Sequence, residues 1–415
     1  MKFPKETINF ENKRELTRLV SGTLDLGEQL LISGAEVARV EDTIRRMCLA
    51  YGAENVDVFT ITSSVIVTAD FGEKGCITQT RRISGLKFNM TEFEALNDLS
   101  RRACNTKIHP TKLREELNQI ASLPKYTYLQ MCAIWALIAS SFSVFFGGIW
   151  VDAFLAGAIA IMLYILQSGF TWFRVNGYFS TILCSILGGA LSNGAYLIYG
   201  DKVHPSMINI GVIMLLVPGI ALTNSIRDMF SGDTISGMLR FIEALALSIA
   251  IAWGFASMAS PGSEAAVVDP KMQIIAGTIG ALGFSLLFNV RGKKRLFWCA
   301  FGGALAWGTV LLGQMAGLSE MMAYLAGAVL LTIYAEVWAR IQFCPSTVFI
   351  MAATIPMIPG GSLYNTMRFA MDGMWESFAM QGLRTLAYAI LISAGILIVH
   401  TVMNAYRAWK AGKLS

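Results

Sequence analysis

Long apolar stretches fill the sequence after Lys125. A helix needs about 20 apolar residues to cross the hydrocarbon core of a membrane, and ten stretches qualify. The pattern therefore predicts an α-helical polytopic membrane protein of ten transmembrane helices with short connections. The predicted spans are 128–149, 151–170, 176–199, 206–224, 234–258, 271–290, 295–316, 319–341, 345–366 and 381–404.

Residues 1–125 have a different pattern, in which apolar positions alternate with charged ones. Helical spacing of apolar residues predicts helices over 13–32, 36–51, 91–104 and 110–121. Segments 55–61, 65–70 and 76–83 are rich in Val, Ile, Thr and Phe and are interrupted by Gly72 and Gly75, which predicts a small antiparallel sheet. Together these elements predict a small N-terminal α+β domain over 1–125 with its own core.

Composition supports the same division of the chain. Of 415 residues, 54% are hydrophobic and 15% charged, and 35 of the 61 charged residues lie before residue 126. The net charge of +5 is spread without a basic stripe, so no nucleic-acid partner is expected. The seven cysteines show no C-x-x-C pair, and the three histidines lie far apart, so we expect packed free thiols, no metal site and no cofactor.

Basic residues near the spans predict the orientation, since Lys and Arg are retained on the cytoplasmic side. With Lys125 inside, Arg174, Arg227 and Arg340 also fall inside, which places both termini in the cytoplasm. No export signal precedes the first domain, so we expect it to be cytosolic. The plasma (inner) membrane of a bacterium is the expected location.

One motif occurs twice in the predicted membrane part. Residues 217–227 (VPGIALTNSIR) and 358–368 (IPGGSLYNTMR) share P-G-x-x-L-x-N-x-x-R at an offset of 141 residues. The two copies are five predicted crossings apart, so they would have opposite orientations. We therefore predict two inverted five-helix halves, 126–260 and 261–415, an arrangement typical of secondary transporters.

The repeated motif also has the chemistry of a binding site. Pro and Gly favour a break in a helix, which frees backbone groups for a polar solute. Asn adds amide donors and acceptors, and Arg can bind a carboxylate through two hydrogen bonds. The alternative is a turn at the membrane surface with Asn as a cap and Arg reaching the interface. The predicted substrate-binding residues are Pro218, Gly219, Asn224, Arg227, Pro359, Gly360, Asn365 and Arg368.

Several other polar residues lie in or near the spans. Glu243 is a candidate coupling carboxylate, unless it simply pairs with Arg240 one turn earlier. Asp228 is a second coupling candidate, although with Asp233 it also fits a solvated turn. For Glu336 we favour an ion pair with Arg340. The glycine pairs 188–189 and 302–303 are interpreted as helix-packing positions.

Three segments resemble the threonine/serine exporter (ThrE) family. They are residues 33–68, beginning SGAEVARVEDTIRRMCLAYG, residues 217–254, beginning VPGIALTNSIRD, and residues 344–367, CPSTVFIMAATIPMIPGGSLYNTM. The last resembles the family's smaller component, so the chain resembles the fused form. The resemblance implies a ten-helix exporter driven by the proton-motive force. The family elements correspond here to Gly34, Arg39, Glu41, Pro218, Gly219, Asn224, Arg227, Asp228, Pro359, Gly360 and Asn365.

The expected function is thus export of a small hydrophilic metabolite, with threonine or serine favoured and proton antiport as the driving reaction. Glu243 with an arginine suits a zwitterion, whereas the two repeat arginines suit a dicarboxylate such as succinate, the alternative substrate. A solute channel gated by the cytosolic domain is another alternative. The expected partners are the substrate, protons and the lipid bilayer, and small-residue helix faces are compatible with a homo-oligomer.

An enzymatic role for the first domain is not expected. No nucleophile-base spacing is recognised there, so no catalytic residues are predicted. Arg39 and Glu41 are interpreted as packing or ion-pair residues.

Overall fold

A computed structural model describes residues 13–83, 85, 87–256 and 268–412. The chain divides into two compact units. The first contains residues 1–125 together with 228–239 and 288–290, and the second contains the remainder. The predicted division of the membrane part at 260/261 lies in 257–267, outside the described residues.

The first unit contains a three-stranded antiparallel sheet in the order β1-β2-β3. The strands are β1 Asn55–Ile61, β2 Ser64–Asp70 and β3 Cys76–Arg82, within two residues of their predicted bounds. Every second residue of β2 is buried, namely Val65, Val67 and Ala69, because side chains alternate between the two faces of a strand. Gly72 and Gly75 both have positive φ in the β2–β3 connection, as a tight turn there requires.

Four helices accompany this sheet. They are α1 Lys13–Ile32, α2 Val37–Ala50, α3 Met90–Thr106 and α4 Pro110–Ala121. Helices α1 and α2 pack on the strands, α3 packs on these two helices, and α4 packs on α1 and α3. Their apolar stripes form a core that includes Leu19, Ile44, Met47 and Phe93, all fully buried. The predicted amphipathic helices and the predicted α+β arrangement are therefore confirmed.

The two inserted segments of the first unit are hydrogen bonded to this core. The Phe288 carbonyl accepts from the Met90 amide at 2.8 Å, and the Asn289 side chain donates to Asn89 Oδ1 at 3.0 Å. Ser236 Oγ donates to the Thr60 carbonyl of β1 at 3.3 Å. Sequence reasoning did not anticipate that residues so distant in the chain complete this unit.

The second unit is helical throughout its described part, and its first five elements are matched by the next five. The first set is α5 Tyr128–Phe145, α6 Trp150–Trp172, α7 Gly177–Tyr199, the pair α8 Pro205–Ile213 and α9 Gly219–Phe230, and α10 Thr234–Ala256. The second set is α11 Pro270–Leu287, α12 Lys293–Met315, α13 Glu320–Ile341, the pair α14 Thr347–Ala353 and α15 Gly360–Met371, and α16 Trp375–Gly412. The first elements agree in length, since α5 and α11 each have 18 residues and α6 and α12 each have 23, whereas α10 has 23 and α16 has 38.

Among the described residues, seven helices are long and apolar enough to cross a membrane, and a bent pair, α14 with α15, makes an eighth candidate. The chain is therefore a mostly helical membrane protein with a small sheet near its N-terminus. The full count of ten crossings and the inversion of the halves stay predictions. The difference from ten arises partly because the fourth and ninth predicted spans are not continuous helices.

Glycines allow the helices of the second unit to pack closely. A Cβ at Gly280 would lie 2.5 Å from the Phe142 ring, and one at Gly283 would lie 2.6 Å from Ile138, where α11 packs on α5. Gly303 is equally close to Ala281, and Gly188 faces Phe255. The packing interpretation of the glycine pairs is confirmed.

All seven cysteines are free thiols, as predicted. Five are buried, but Cys76 is exposed at the start of β3 and Cys104 is partly exposed, so the expectation that every thiol is packed was wrong for these two. Among the described residues, no cluster of His, Cys, Asp and Glu suitable for a metal ion is found.

Candidate functional site: two broken helices

Both copies of the repeated motif interrupt a helix. The chain leaves α8 at Ile213 and resumes helical structure as α9 at Gly219, and it leaves α14 at Ala353 and resumes as α15 at Gly360 after a single 3-10 turn. The second pair is bent by 42°. The predicted break at Pro-Gly is confirmed. The predicted position at the end of spans 206–224 and 345–366 was wrong, because a further 12-residue helix follows each break.

The offset of 141 residues extends well beyond the motif. It relates the first and last residues of α9 to those of α15, and the first residue of α10 to that of α16. It also relates Gly232 to Gly373, which both have positive φ in the turns between these helices. The repeat is therefore structural, with equivalent breaks, helices and turns.

The two breaks meet inside the second unit. A Cβ on Gly219 would collide with the side chain of Ile358 and would lie 3.8 Å from the Gly360 Cα atom. A Cβ on Gly360 would lie 3.1 Å from Met214 Sδ. Only glycine permits this approach, which brings the N-terminal ends of α9 and α15 together.

The first turns of the two helices have matching backbone hydrogen bonds. The Pro218 carbonyl accepts from Leu222 at 3.0 Å, and the Pro359 carbonyl accepts from Leu363 at 2.8 Å. Leu222 and Leu363 lie in one buried cluster with Ala244 and Ala389 of the following helices. Pro359 is the N-cap residue of α15 and its side chain accepts no hydrogen bond from the helix. The first amides of a helix have no partners within the helix.

Two helix N-termini that face each other create a positive electrostatic field. The aligned peptide dipoles amount to roughly half a positive charge at each N-terminus. Such ends bind anionic groups, and in transporters the ends of broken helices do so near the centre of the membrane. The geometry at Gly219 and Gly360 therefore favours a ligand with a carboxylate.

The polar residues of the two copies differ in their surroundings. Asn224 and Arg227 are buried on α9, with Arg227 only 4% exposed. Asn365 is half-buried on α15, and the Arg368 side chain is 38% exposed and lies 3.6 Å from the Asp372 carboxylate one turn on. The arginines are thus equivalent in sequence but not in environment.

Asp228 is buried, whereas Asp233 is partly exposed and follows the exposed residues Ser231 and Gly232. Asp228 is 2% exposed, and its carbonyl accepts hydrogen bonds from the amides of Ser231 and Asp233. The expectation of a solvated turn was wrong for Asp228, because this turn belongs to the first compact unit rather than to an open loop.

Glu243 lies on α10 with an exposed side chain, beside the exposed Ile242, whereas Arg240 one turn earlier is buried. The two residues, three apart on the helix, therefore differ in burial, and no ion pair between them is found among the described residues. Glu336 by contrast is buried and accepts from Arg407 at 2.8 Å, with Arg340 at 3.6 Å. The ion pair predicted for Glu336 with Arg340 is confirmed, and Arg407 is an additional partner.

A group of hydroxyl and amide side chains joins α15 to α16. Thr385 Oγ1 lies 2.8 Å from Ser362 Oγ and 3.1 Å from Thr366 Oγ1, and Gln381 donates to Ser362 at 2.8 Å. Sequence reasoning missed these four residues, because neutral polar residues in apolar helices give no charge signal.

Sequence reasoning also missed a buried carboxylate, Asp152, in the first turn of α6. Its side chain is fully buried and accepts from the Ile149 amide at 3.0 Å and the His204 amide at 2.8 Å, and it lies 2.9 Å from His204 Nδ1. Asp152 is the only Asp, Glu, Lys or Arg within α5, α6, α7 and α8. An isolated ionisable residue in apolar helices is itself a functional signal, and it was available in the sequence.

The family-matched residues of the first unit have packing roles. Gly34 has a φ of 103° and its Cα faces the Phe88 ring, and the Arg39 guanidinium lies over the Phe93 ring at 5.6 Å. Glu41 accepts from the Thr60 amide at 2.8 Å. Burial is the main reason that the pKa of Glu41 is raised. The predicted interpretation of Arg39 and Glu41 as packing residues agrees with these contacts.

Apolar spanning helices and two broken helices that meet at their N-termini define a polytopic membrane protein of the transporter class. Residues 22–260 match the family model described as a putative threonine/serine exporter, and residues 273–402 match the model described as threonine/serine exporter, ThrE. The chain belongs to the threonine/serine exporter family, in its fused form.

Two curated relatives extend this comparison. The chain is 22% identical to a threonine/serine exporter of Corynebacterium glutamicum, over 99% of this chain and 90% of that protein. It is 26% identical to a probable succinate transporter subunit, YjjP, of Klebsiella aerogenes, over 58% of this chain and 92% of that protein. No solved structure matches the chain.

Proposed function

We propose that this protein is a secondary exporter of small hydrophilic metabolites, with threonine and serine as substrates, driven by proton antiport. The observation that carries the proposal is the meeting of the α9 and α15 N-termini at Gly219 and Gly360. Their combined dipoles attract a carboxylate, which an amino acid supplies. The name of the Corynebacterium glutamicum relative supports this choice of substrate.

In this proposal the substrate carboxylate binds amides in the first turns of α9 and α15. The Gly360 amide is not among them, because it donates to the Ile358 carbonyl at 2.7 Å. Asn224 and Arg227 bind from α9, and Asn365 and Arg368 bind from α15. The burial of Asn224 and Arg227 supports a direct role, because polar and charged groups inside the membrane are costly and are therefore functional candidates. Arg368, with its exposed partner Asp372, is suited to closing the pathway after the substrate binds.

The two halves are proposed to be inverted, in ten crossings, with both termini cytoplasmic. In that arrangement the two breaks face the site from opposite sides, and rocking of one half against the other opens the site alternately. Glu243 and Asp228 are the proposed coupling carboxylates. Glu243 is exposed on an otherwise apolar face of α10, where an ionised carboxylate is costly.

A dicarboxylate substrate is the second candidate, because two helix N-termini and two arginines offer more positive charge than one carboxylate requires. The YjjP relative, named as a probable succinate transporter subunit, favours it specifically. A channel gated by the first unit differs in that its flux would follow the solute gradient alone.

The test is efflux of labelled threonine, serine and succinate from proteoliposomes, with and without an imposed proton gradient. We expect gradient-dependent efflux of threonine or serine that Arg227→Gln abolishes and Arg368→Gln strongly reduces. Lys294→Gln, at an exposed position in α12, is the matched control and retains transport. Efflux of succinate alone reassigns the substrate, and flux that ignores the proton gradient or survives both variants overturns the mechanism.

A further inference from the structure

A buried carboxylate and a histidine lie together at the start of the first broken helix, away from the Pro-Gly breaks. Asp152 is in the first turn of α6, and His204 directly precedes Pro205, the first residue of α8. The carboxylate is fully buried and the His204 side chain is 36% exposed. The pair thus consists of a buried carboxylate and a partly exposed imidazole.

The hydrogen bonds define the protonation states of this pair. Asp152 accepts two backbone amides through its two oxygens, which suits the ionised, acceptor-only form. His204 Nδ1, 2.9 Å from the carboxylate, must then carry a hydrogen and donate it. Nε2 is then the ring nitrogen left to accept a proton, and a proton there makes the imidazole a cation while Nδ1 still donates to Asp152.

The other ionisable groups near the pair are few. Asp201 and Lys202 lie in the preceding 3-10 turn, and Tyr196 at the end of α7 bonds Asp201 at 3.2 Å. α5, α7 and α8 contain no Asp, Glu, Lys, Arg or His, α6 contains only Asp152, and α15, which also packs on α8, contributes Arg368 in its last turn. Within the described residues, Asp152 is therefore the charged group that His204 meets directly.

The second half does without an equivalent pair. The residue equivalent to Asp152 in the first turn of α12 is Arg295, and α14 is preceded by Ser346. A helix start in this fold thus does not require the carboxylate-histidine pair. This asymmetry favours a role for the pair in the first half beyond capping.

The helix α8 connects this pair to the proposed substrate site. α8 has nine residues, about 14 Å of helix, and Met214, which follows it directly, lies against Gly360 at the meeting point of the breaks. A change in how firmly the start of α8 is held is therefore transmitted to the substrate site through one rigid helix.

We propose that His204, held by Asp152, is a proton-sensitive positioning residue that controls how firmly α8 is fixed to α6. Protonation at Nε2 makes the bond to Asp152 charge-assisted on both sides, and such bonds are the stronger kind. α8 is then held more firmly at its start, and loss of the proton leaves a weaker bond from the neutral imidazole. The effect on transport depends on the proposed exporter function, but the effect on α8 does not.

The first experiment uses the full-length wild-type protein and does not depend on transport. Hydrogen exchange of the α8 amides is measured by mass spectrometry at mildly acidic and at neutral pH, after correction for the intrinsic rates. We expect exchange at 205–213 to be slower by roughly threefold or more at the acidic pH. The α14 amides are the matched control and should show no such change. Equal protection of α8 at both pH values overturns the proposal.

Two variants then separate titration from hydrogen bonding in proteoliposomes. His204→Asn keeps a donor for Asp152 but cannot titrate, so we expect transport near wild type with a flattened pH profile. His204→Ala loses the bond, so we expect weaker transport at every pH. A wild-type pH profile in His204→Asn overturns the proposal. If wild-type protein transports none of the three solutes, the exporter function fails while the exchange result still decides this proposal.

Discussion

At the scale of single residues, glycine has the clearest role, because it permits two helix breaks to touch. Gly219 and Gly360 are 141 residues apart in sequence, and each leaves room for a neighbour that any side chain would displace. The repeated motif predicted that both glycines weaken a helix. That the glycines also form the contact between the two copies was not predictable, because a sequence pattern does not state which distant segments meet.

The contact leads to a size-exchange prediction. Gly219→Ala adds a methyl group that collides with the Ile358 side chain, so we expect the free energy of unfolding in detergent to fall by about 1–3 kcal/mol and transport to be lost. Ile358→Ala removes the obstructing atoms but leaves a cavity, so Gly219→Ala should cost much less stability in that background than in the wild type. Gly194→Ala in α7, where an added Cβ meets nothing within 4 Å, is the control. Unchanged stability in Gly219→Ala would contradict the contact.

At the scale of elements, α9 and α15, the helices after the two breaks, are held to α16 by different hydrogen bonds. Side-chain hydrogen bonds connect α15 to α16 through Ser362, Thr366, Gln381 and Thr385. By contrast, Ser393 of α16 donates to the Thr223 carbonyl of α9 at 2.9 Å.

Helix bounds were predictable in the first unit, because amphipathic spacing is a local property. The ends of α9 and α15 were not predictable. The sequence predicts the break before each helix, but how far the helix continues after the break depends on packing.

The α15–α16 bridge predicts a measurable loss of stability. Thr385→Val removes the hydroxyl that meets both Ser362 and Thr366, and interhelical hydrogen bonds in membrane proteins contribute about 0.6–1.7 kcal/mol. We expect a loss of about 1 kcal/mol in reversible unfolding in mixed micelles. Thr309→Val is the control, because the Thr309 hydroxyl bonds the Leu305 carbonyl of its own helix. Equal losses in the two variants would show that the bridge between helices adds nothing.

At the scale of the whole molecule, the repeat of element order raises the question of orientation. Five elements recur in the same order, each set containing one broken helix, although α16 with 38 residues is longer than α10 with 23. An odd number of crossings between equivalent elements inverts the second set, and inverted repeats are a common basis of alternating access in transporters.

Inversion predicts that equivalent connections lie on opposite sides of the membrane. Single cysteines are placed at Arg174, between α6 and α7, and at Leu318, between α12 and α13, in a background in which the seven native cysteines are replaced. A membrane-impermeant maleimide should label Leu318→Cys in intact cells, and Arg174→Cys only after the cells are opened. Labelling of both from the same side would exclude the inverted arrangement.

The sequence by itself determined the membrane class, the helices and strands of the first domain, the helix breaks at Pro218 and Pro359, and the repeat that relates them. These depend on local physics, namely apolar length, periodicity and the loss of a backbone donor at proline. Only the tertiary structure decided that the two breaks meet, that Arg227 is buried while Arg368 is partly exposed, and that Asp152 and His204, 52 positions apart, form one pair. Contacts between distant segments depend on how complete helices pack, and no local pattern encodes that packing.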